Sequence, residues 1–285
     1  MKILVLGASG LIGSVLCRQL SDKHNVTGTY RLHKTDLPVP LLPFDVSSDD
    51  TSALLEQEKP DAVISCLRGD FHDQFQAHEK AAAWLKKNGA KLIFLSTANV
   101  FDAAPERPHT ENDTPQAVSE YGKYKIACEA KILGTLGKNA AIVRLPMILN
   151  RAKLERLTRR EILDEGALYG NLYQSLNIDT SVAGAVQFIL EQNLSGIIHL
   201  GSSDFVREKD FLEQAAERFG FSSEGVVLRD FTDETYCQAL GGKSTNELAV
   251  TGNRIFYQVL ETVRTDIPEM YHPSCLSVLK MAAAF

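Results

Sequence analysis

A basic excess is missing from this chain. Its 30 lysines and arginines stand against 36 acids, a formal charge of −6. No overall positive field exists to hold nucleic acid or an anionic membrane surface, so any bound phosphate must be held locally. Long apolar runs are missing too: none approaches the roughly 18 residues that a bilayer-spanning helix needs. The N-terminus opens straight into Lys2-Ile3-Leu4-Val5-Leu6 without the layout of a cleavable leader. A cytoplasmic protein without a membrane partner is expected. The five cysteines, Cys17, Cys66, Cys128, Cys237 and Cys275, include no CxxC pair, which fits reduced core thiols better than disulfides or a zinc knot. The seven histidines are scattered, with neither HExxH nor a His/Cys cluster at ligand spacing, so no metal is expected. Internal repeats and low-complexity segments are absent.

Alternation is what the first half has. Short β-branched runs at Lys2–Leu6, Val26–Arg31, Asp61–Cys66, Lys91–Ser96 and Ala140–Arg144 are separated by amphipathic stretches. Those stretches are Leu11–Leu20, Asp49–Glu58, Phe71–Lys87 and Glu120–Leu136, with Ser47 and Ser48 placed to cap the second. This is the pattern of repeated βα units, and right-handed crossovers wind them into a doubly wound parallel sheet. After Pro146 the alternation stops. The charged stretch Arg151–Glu165 reads as a solvated helix or helical insertion. Thr180–Gln192 leading into Ile197–Leu200, and Glu208–Phe219 leading into Val226–Leu228, add another strand and part of a smaller cap. The stretch Arg254–Phe285 has helix-like apolar content around Ile255, Val259 and Val263, then breaks at Pro268 and Pro273.

The first strand runs directly into Gly7-Ala8-Ser9-Gly10-Leu11-Ile12-Gly13, a GxxGxxG spacing followed by an apolar helix. The first two glycines allow a sharp turn and a close approach to a pyrophosphate, and the third allows the helix to pack on the sheet. The helix N-terminus adds free N–H groups and the positive end of a dipole. A dinucleotide is the expected ligand. Enzymes that use NAD commonly carry an acid at the end of the second strand, but here that end reads Thr29-Tyr30-Arg31-Leu32-His33-Lys34. Arg31, aided by Lys34, suits a 2′-phosphate through charge-assisted hydrogen bonds. NADP(H) is therefore favoured, with NAD(H) as the alternative. Asp45 is placed either to accept from the adenine amino group or to make a turn.

Further along, Tyr121-Gly122-Lys123-Tyr124-Lys125 sets a tyrosine and a lysine four apart on one helix face. A phenol with an ordinary pKa near 10 is a poor acid–base group at neutral pH, and a neighbouring ammonium lowers it by stabilising the phenolate. Lys125 also suits the nicotinamide ribose. Thr97 ends a strand, where open α/β sheets place their ligand crevice. Its hydroxyl serves either a substrate carbonyl or a loop backbone group.

In this order the three motifs resemble the extended short-chain dehydrogenase/reductases. Ser96-Thr97-Ala98-Asn99-Val100-Phe101-Asp102 looks most like the dTDP-4-dehydrorhamnose reductase branch of the NAD-dependent epimerase/dehydratase superfamily. Residues 1 to 146 follow the pattern, closing with Val143-Arg144-Leu145-Pro146, and Ser195–Gly201 resembles the late strand of that family. The resemblance implies a Rossmann-type domain over 1–146. It implies a mixed region over 147–285 that adds late sheet elements and a small substrate-binding cap, across a diffuse boundary. Thr97, Tyr121 and Lys125 would be the catalytic set. Gly7, Ser9, Gly10, Leu11, Ile12, Gly13, Cys66 and Leu67 would contact the cofactor, with Tyr121 and Lys125 beside them, and Arg31 would select NADP. The implied activity is an NADPH-dependent reductase of a carbonyl, on a nucleotide-linked 4-keto-6-deoxy sugar. NADPH would deliver hydride while Tyr121 donates the proton, Thr97 orients the oxygen and Lys125 supports the tyrosine.

Three departures stand out. Ala98-Asn99 replaces the usual Asp-Tyr, residues 147–180 lack a recognisable sugar-nucleotide segment, and Cys66-Leu67-Arg68 replaces a small-residue stretch, leaving Arg68 to meet an anionic substrate or to lie idle on the surface. Two other functions remain open: an epimerase or dehydratase that keeps its cofactor, and a non-catalytic NADP-binding regulatory subunit. The regulatory β subunit of methionine adenosyltransferase, in the same branch, exemplifies the second. Ile126, Ala127 and Ala130, with Phe75, Ala82 and Trp84, serve either a homodimer interface or the core.

Overall fold

A computed structural model describes residues 1–157, 168–218, 220, 228–230, 232 and 254–284. The chain folds into two compact units, the first made of Met1–Thr97, Tyr124–Arg144 and Asp179–Ile198. Its centre is a seven-stranded sheet built from β1 (Lys2–Leu6), β2 (Asn25–Tyr30), β3 (Leu41–Pro43), β4 (Ala62–Ser65), β5 (Lys91–Thr97), β6 (Ala140–Leu145) and β11 (Gly196–His199). The order is β11-β6-β5-β4-β1-β2-β3, with β1 parallel to β2 and β4, β2 to β3, and β4 to β5. Strands β4, β5 and β6 are buried along their whole length. They therefore read as continuous apolar runs rather than alternating ones, as strands covered by helices on both faces do. This is a Rossmann-type α/β fold.

The crossover helices are α1 (Leu11–Leu20), α2 (Thr51–Glu58), α3 (Phe71–Asn88) and α4 (Glu120–Leu136). Asp50 caps α2 by accepting from Ser52 N at 3.2 Å. The expected caps, Ser47 and Ser48, are instead held in a turn, where Asp45 accepts from Ser47 N at 3.0 Å. Helix α3 starts at Asp70, whose carboxylate accepts from His72 N and Asp73 N, and ends at Gly89 with φ of 66°, as helices capped in the left-handed region do. A late helix, numbered α6 in chain order (Asp179–Glu191), packs on α1, tied by Gln19–Gln187 at 3.0 Å and Lys23–Glu191 at 3.1 Å. Ala82 is fully buried, and Phe75 and Trp84 pack against the core formed by residues such as Leu55, Leu85 and Phe94. Ala127 and Ala130 are exposed.

The second unit comprises Ala98–Lys123, Leu145–Ile178 and His199–Phe285. Strand β7 (Met147–Leu149) pairs in parallel with β10 (Leu176–Ile178), and β8 (Leu168–Tyr169) with β13 (Leu228–Arg229). Strand β9 (Leu172–Gln174) lies between β12 (Val206–Arg207), antiparallel, and β14 (Ile255–Phe256), parallel. Helices α5 (Arg151–Leu157), α7 (Glu208–Arg218) and α8 (Cys275–Ala284) supply a second core around Leu154, Phe211 and Leu279. Of the expected helix Arg151–Glu165, the part beyond Leu157 lies outside the described residues, as do Val226 and Val227 of the expected strand. The helix-like reading of Ile255–Val263 is corrected: this stretch is β14, a turn at Tyr257 and Gln258, and a segment that bridges to His109 at Leu260. Pairing of Ile255 with Leu172 competes with a helix, and beyond it the buried Glu111 carboxylate accepts from Thr262 Oγ1 at 2.8 Å and Val263 N at 2.9 Å. Among the described residues, no helix is long and apolar enough to cross a membrane.

Candidate functional site

Between β1 and α1 the chain turns at Gly7, whose φ of +81° favours glycine. A Cβ at Gly13 would lie 2.3 Å from Gly7 O, so only glycine lets α1 approach the strand end this closely. Thr29 fixes the loop from β2: its Oγ1 accepts from Gly7 N at 3.0 Å and its carbonyl from Ala8 N at 2.8 Å. Gly10 is exposed, and no side chain caps α1. The first turn of α1 holds no acid, and Ser9, Leu11 and Ile12 are half-buried beside it. An uncapped N-terminus reached through glycines is a donor set that suits a diphosphate, since the orphan N–H groups and the dipole both favour negative charge.

The flanking strand ends carry the other expected contacts. Cys66 and Leu67 are half-buried after β4, and a Cβ at Gly7 would lie only 2.8 Å from Cys66 O. Burial pushes the Cys66 thiol up to about 12, so it stays protonated. Arg31 is exposed at the end of β2, its guanidinium 3.6 Å from where a Cβ of Gly69 would stand. Asp45 is half-buried, with its carboxylate engaged by Ser47 N.

Helix α4 carries Tyr121 and Lys125 four residues apart, on one face. Tyr121 is 37% exposed, whereas Lys125 is buried, its Nζ donating to Leu95 O at 2.9 Å and lying 4.4 Å from the Phe94 ring centroid. Burial lowers Lys125 to about 8, which leaves it a cation at neutral pH. Thr97 is the buried last residue of β5 and leads into a 3-10 turn, Ala98–Phe101. The first turn of α4 is locked by groups that sequence reasoning missed. Ser119 Oγ accepts from Gly122 N at 3.0 Å and bonds to the buried Asp102 carboxylate, which also accepts from Val118 N at 2.6 Å. A Cβ at Gly122 would lie 2.4 Å from Asn99 O, so a side chain there would force the turn and helix apart.

A second missed feature lies on the inner face of α4. Glu129 accepts from Arg144 Nη2 at 2.7 Å and from Ser96 Oγ, and both ionic side chains are buried. One turn from Lys125, the acid sits at i+4, a spacing visible in the sequence, but its partner on β6 is not. His78 is also buried, with Nε2 2.8 Å from Ser65 Oγ, and burial lowers it to about 3, so it is neutral. Among the described residues, no group of three or more His, Cys, Asp or Glu side chains is placed to hold a metal ion.

Compared with known proteins, residues 1–161 match the model of the RmlD substrate binding domain family. The chain belongs to this family. An RmlD-family chain of this sequence is 25% identical to methionine adenosyltransferase 2 subunit beta of Danio rerio over 254 residues, 79% of this chain and 76% of that protein. It is 24% identical to dTDP-4-keto-6-deoxy-D-glucose reductase of Streptomyces niveus over 215 residues, 69% and 71% of the two chains. Among solved structures, WbmH of Bordetella bronchiseptica in complex with NAD+ aligns with a TM-score of 0.76 at 16% identity, covering 99% of this chain and 97% of that one. At that identity the likeness shows the fold alone.

Proposed function

We propose that this chain is a nicotinamide-dependent reductase that acts on a carbonyl of a nucleotide-linked 4-keto-6-deoxy sugar. The observation that carries this reading is the buried Lys125 cation one helical turn after Tyr121, downstream of a glycine loop shaped for a diphosphate. The similarity to a dTDP-4-keto-6-deoxy-D-glucose reductase supports the substrate class, and the likeness to an NAD+-bound structure supports a nicotinamide cofactor. Arg31, exposed and without an acid partner among the described residues, favours NADPH over NADH. A reduced nicotinamide supplies hydride when bound. Tyr121 gives its phenolic proton to the carbonyl oxygen, Thr97 donates a hydrogen bond to the same oxygen, and the Lys125 ammonium stabilises the phenolate that remains. Gly7, Gly10 and Gly13, with the N–H groups of Leu11 and Ile12, hold the diphosphate. Ser9, Cys66 and Leu67 line its approach, and Asp45 faces the adenine end.

The test follows NADPH absorbance with dTDP- and UDP-linked 4-keto-6-deoxy sugars. Tyr121→Phe is expected to lower turnover by at least 100-fold while dinucleotide binding stays near that of the parent chain; undiminished turnover would remove Tyr121 as the acid. An epimerase or dehydratase would show no net NADPH consumption. The similarity to methionine adenosyltransferase 2 subunit beta favours one second reading, a dinucleotide-binding regulatory subunit. NADPH binding with no turnover on any carbonyl, together with copurification with a larger enzyme, would support it.

A further inference from the structure

The loop after β4 holds a cation that the reductase reading does not use. Arg68 is exposed, and among the described residues no carboxylate pairs with it and no hydrogen bond restrains it. Its loop is fixed at both ends. On one side Cys66 O packs against Gly7, where a Cβ would lie 2.8 Å away. On the other, the Gly69 carbonyl accepts from Gln74 Nε2 at 2.8 Å, and the Gly69 Cβ position is 3.6 Å from the Arg31 guanidinium. The segment therefore bridges the glycine loop and the end of β2. The charge of Arg68 reaches inward as well, since it is one of the groups acting on Lys125 and on the Cys66 thiol.

The glycine loop itself is short of positive charge. Gly7–Gly13 contains no lysine or arginine, and the first cation of α1, Arg18, is turned away to donate to Asp36 O at 2.8 Å. The dipole of α1 supplies only about half an elementary charge, against a pyrophosphate that carries a negative charge on the oxygens of each phosphate group. In a chain of net charge −6, no general field makes up the difference.

We propose that Arg68 is a pyrophosphate clamp, closing over the dinucleotide from the β4 loop and supplying the cation that the glycine loop lacks. The assignment rests on the dinucleotide reading above. A guanidinium suits this role because its planar fork pairs with two phosphate oxygens at once. It divides the work with Arg31, which serves the adenosine 2′-phosphate.

Fluorescence titration of the full chain with NADPH and with NADH separates these roles, using the parent protein, Arg68→Ala, Arg68→Lys and Arg31→Ala. Arg68→Ala is expected to weaken both dinucleotides about tenfold, with part of the loss recovered in Arg68→Lys, whereas Arg31→Ala weakens NADPH alone. Because Arg68 is exposed, an unchanged thermal melt of each variant verifies folding. A loss confined to NADPH in Arg68→Ala would move the residue to the 2′-phosphate and overturn the clamp. Parent-like affinity for both dinucleotides in Arg68→Ala would overturn it too. Failure of the parent chain to bind either dinucleotide would bring down the reductase reading itself, and the clamp with it.

Discussion

Lys125 keeps its charge in an apolar setting, between the Phe94 ring and the Leu95 carbonyl. Burial lowers its pKa from 10.5 to about 8, and two pH effects follow. If the cation supports the Tyr121 phenolate, kcat/KM for the carbonyl substrate should fall above about pH 8, and that limb should vanish in Lys125→Met. The second effect concerns stability. Below about pH 8 both folded and unfolded chains hold this proton, and the folded state bears the full cost of the buried cation. Between about 8 and 10.5 the folded state has lost the proton while the unfolded state keeps it, so this residue's contribution makes stability rise with pH. Urea midpoints at pH 8 and pH 9 should therefore climb more in the parent chain than in Lys125→Met. Equal slopes would show that the lysine is better solvated than its contacts imply.

At the scale of elements, α4 is held to the sheet by ions and to its preceding loop by hydrogen bonds. The Glu129–Arg144 pair is buried between α4 and β6, and removing one partner leaves the other charge uncompensated. Glu129→Gln should cost about 3–5 kcal/mol in urea denaturation, and replacing both residues with apolar ones should cost much less. A cost below about 1 kcal/mol would mean that water reaches the pair. The turn between β1 and α1 is equally intolerant. In Gly13→Ala the new methyl would meet Gly7 O at 2.3 Å, so dinucleotide affinity in a fluorescence titration should fall to background. The glycine loop was legible in the sequence because one short segment contains the whole device. The Asp102–Ser119 lock was not: its partners lie 17 residues apart, in loops whose polar residues look like ordinary solvated ones. Asp50 rather than Ser47 or Ser48 caps α2 because it directly precedes Thr51, while the serines lie upstream in the turn at Asp45.

Across the whole molecule, legibility follows element length. The central strands β1, β4, β5 and β6 announced themselves as apolar runs because helices bury both of their faces. In the second unit, β8, β12, β13 and β14 are two residues long, too short for any periodicity to register. Ile255 looks helical in the sequence for that reason, since its strand is set by a partner, Leu172, 83 positions earlier. The order in which segments join the first unit also matters for how the chain is made. Its sheet edge, β11, and the helix that packs on α1 come from Asp179–His199, after the chain has already contributed Leu145–Ile178 to the other unit. On the ribosome Met1–Thr97 and Tyr124–Arg144 must therefore emerge and wait, with one flank of α1 uncovered and the β6 edge unpaired, until residues 179–199 have been synthesised. An exposed sheet edge invites pairing with other chains, so the speed of translation through residues 145–199 becomes part of the folding problem.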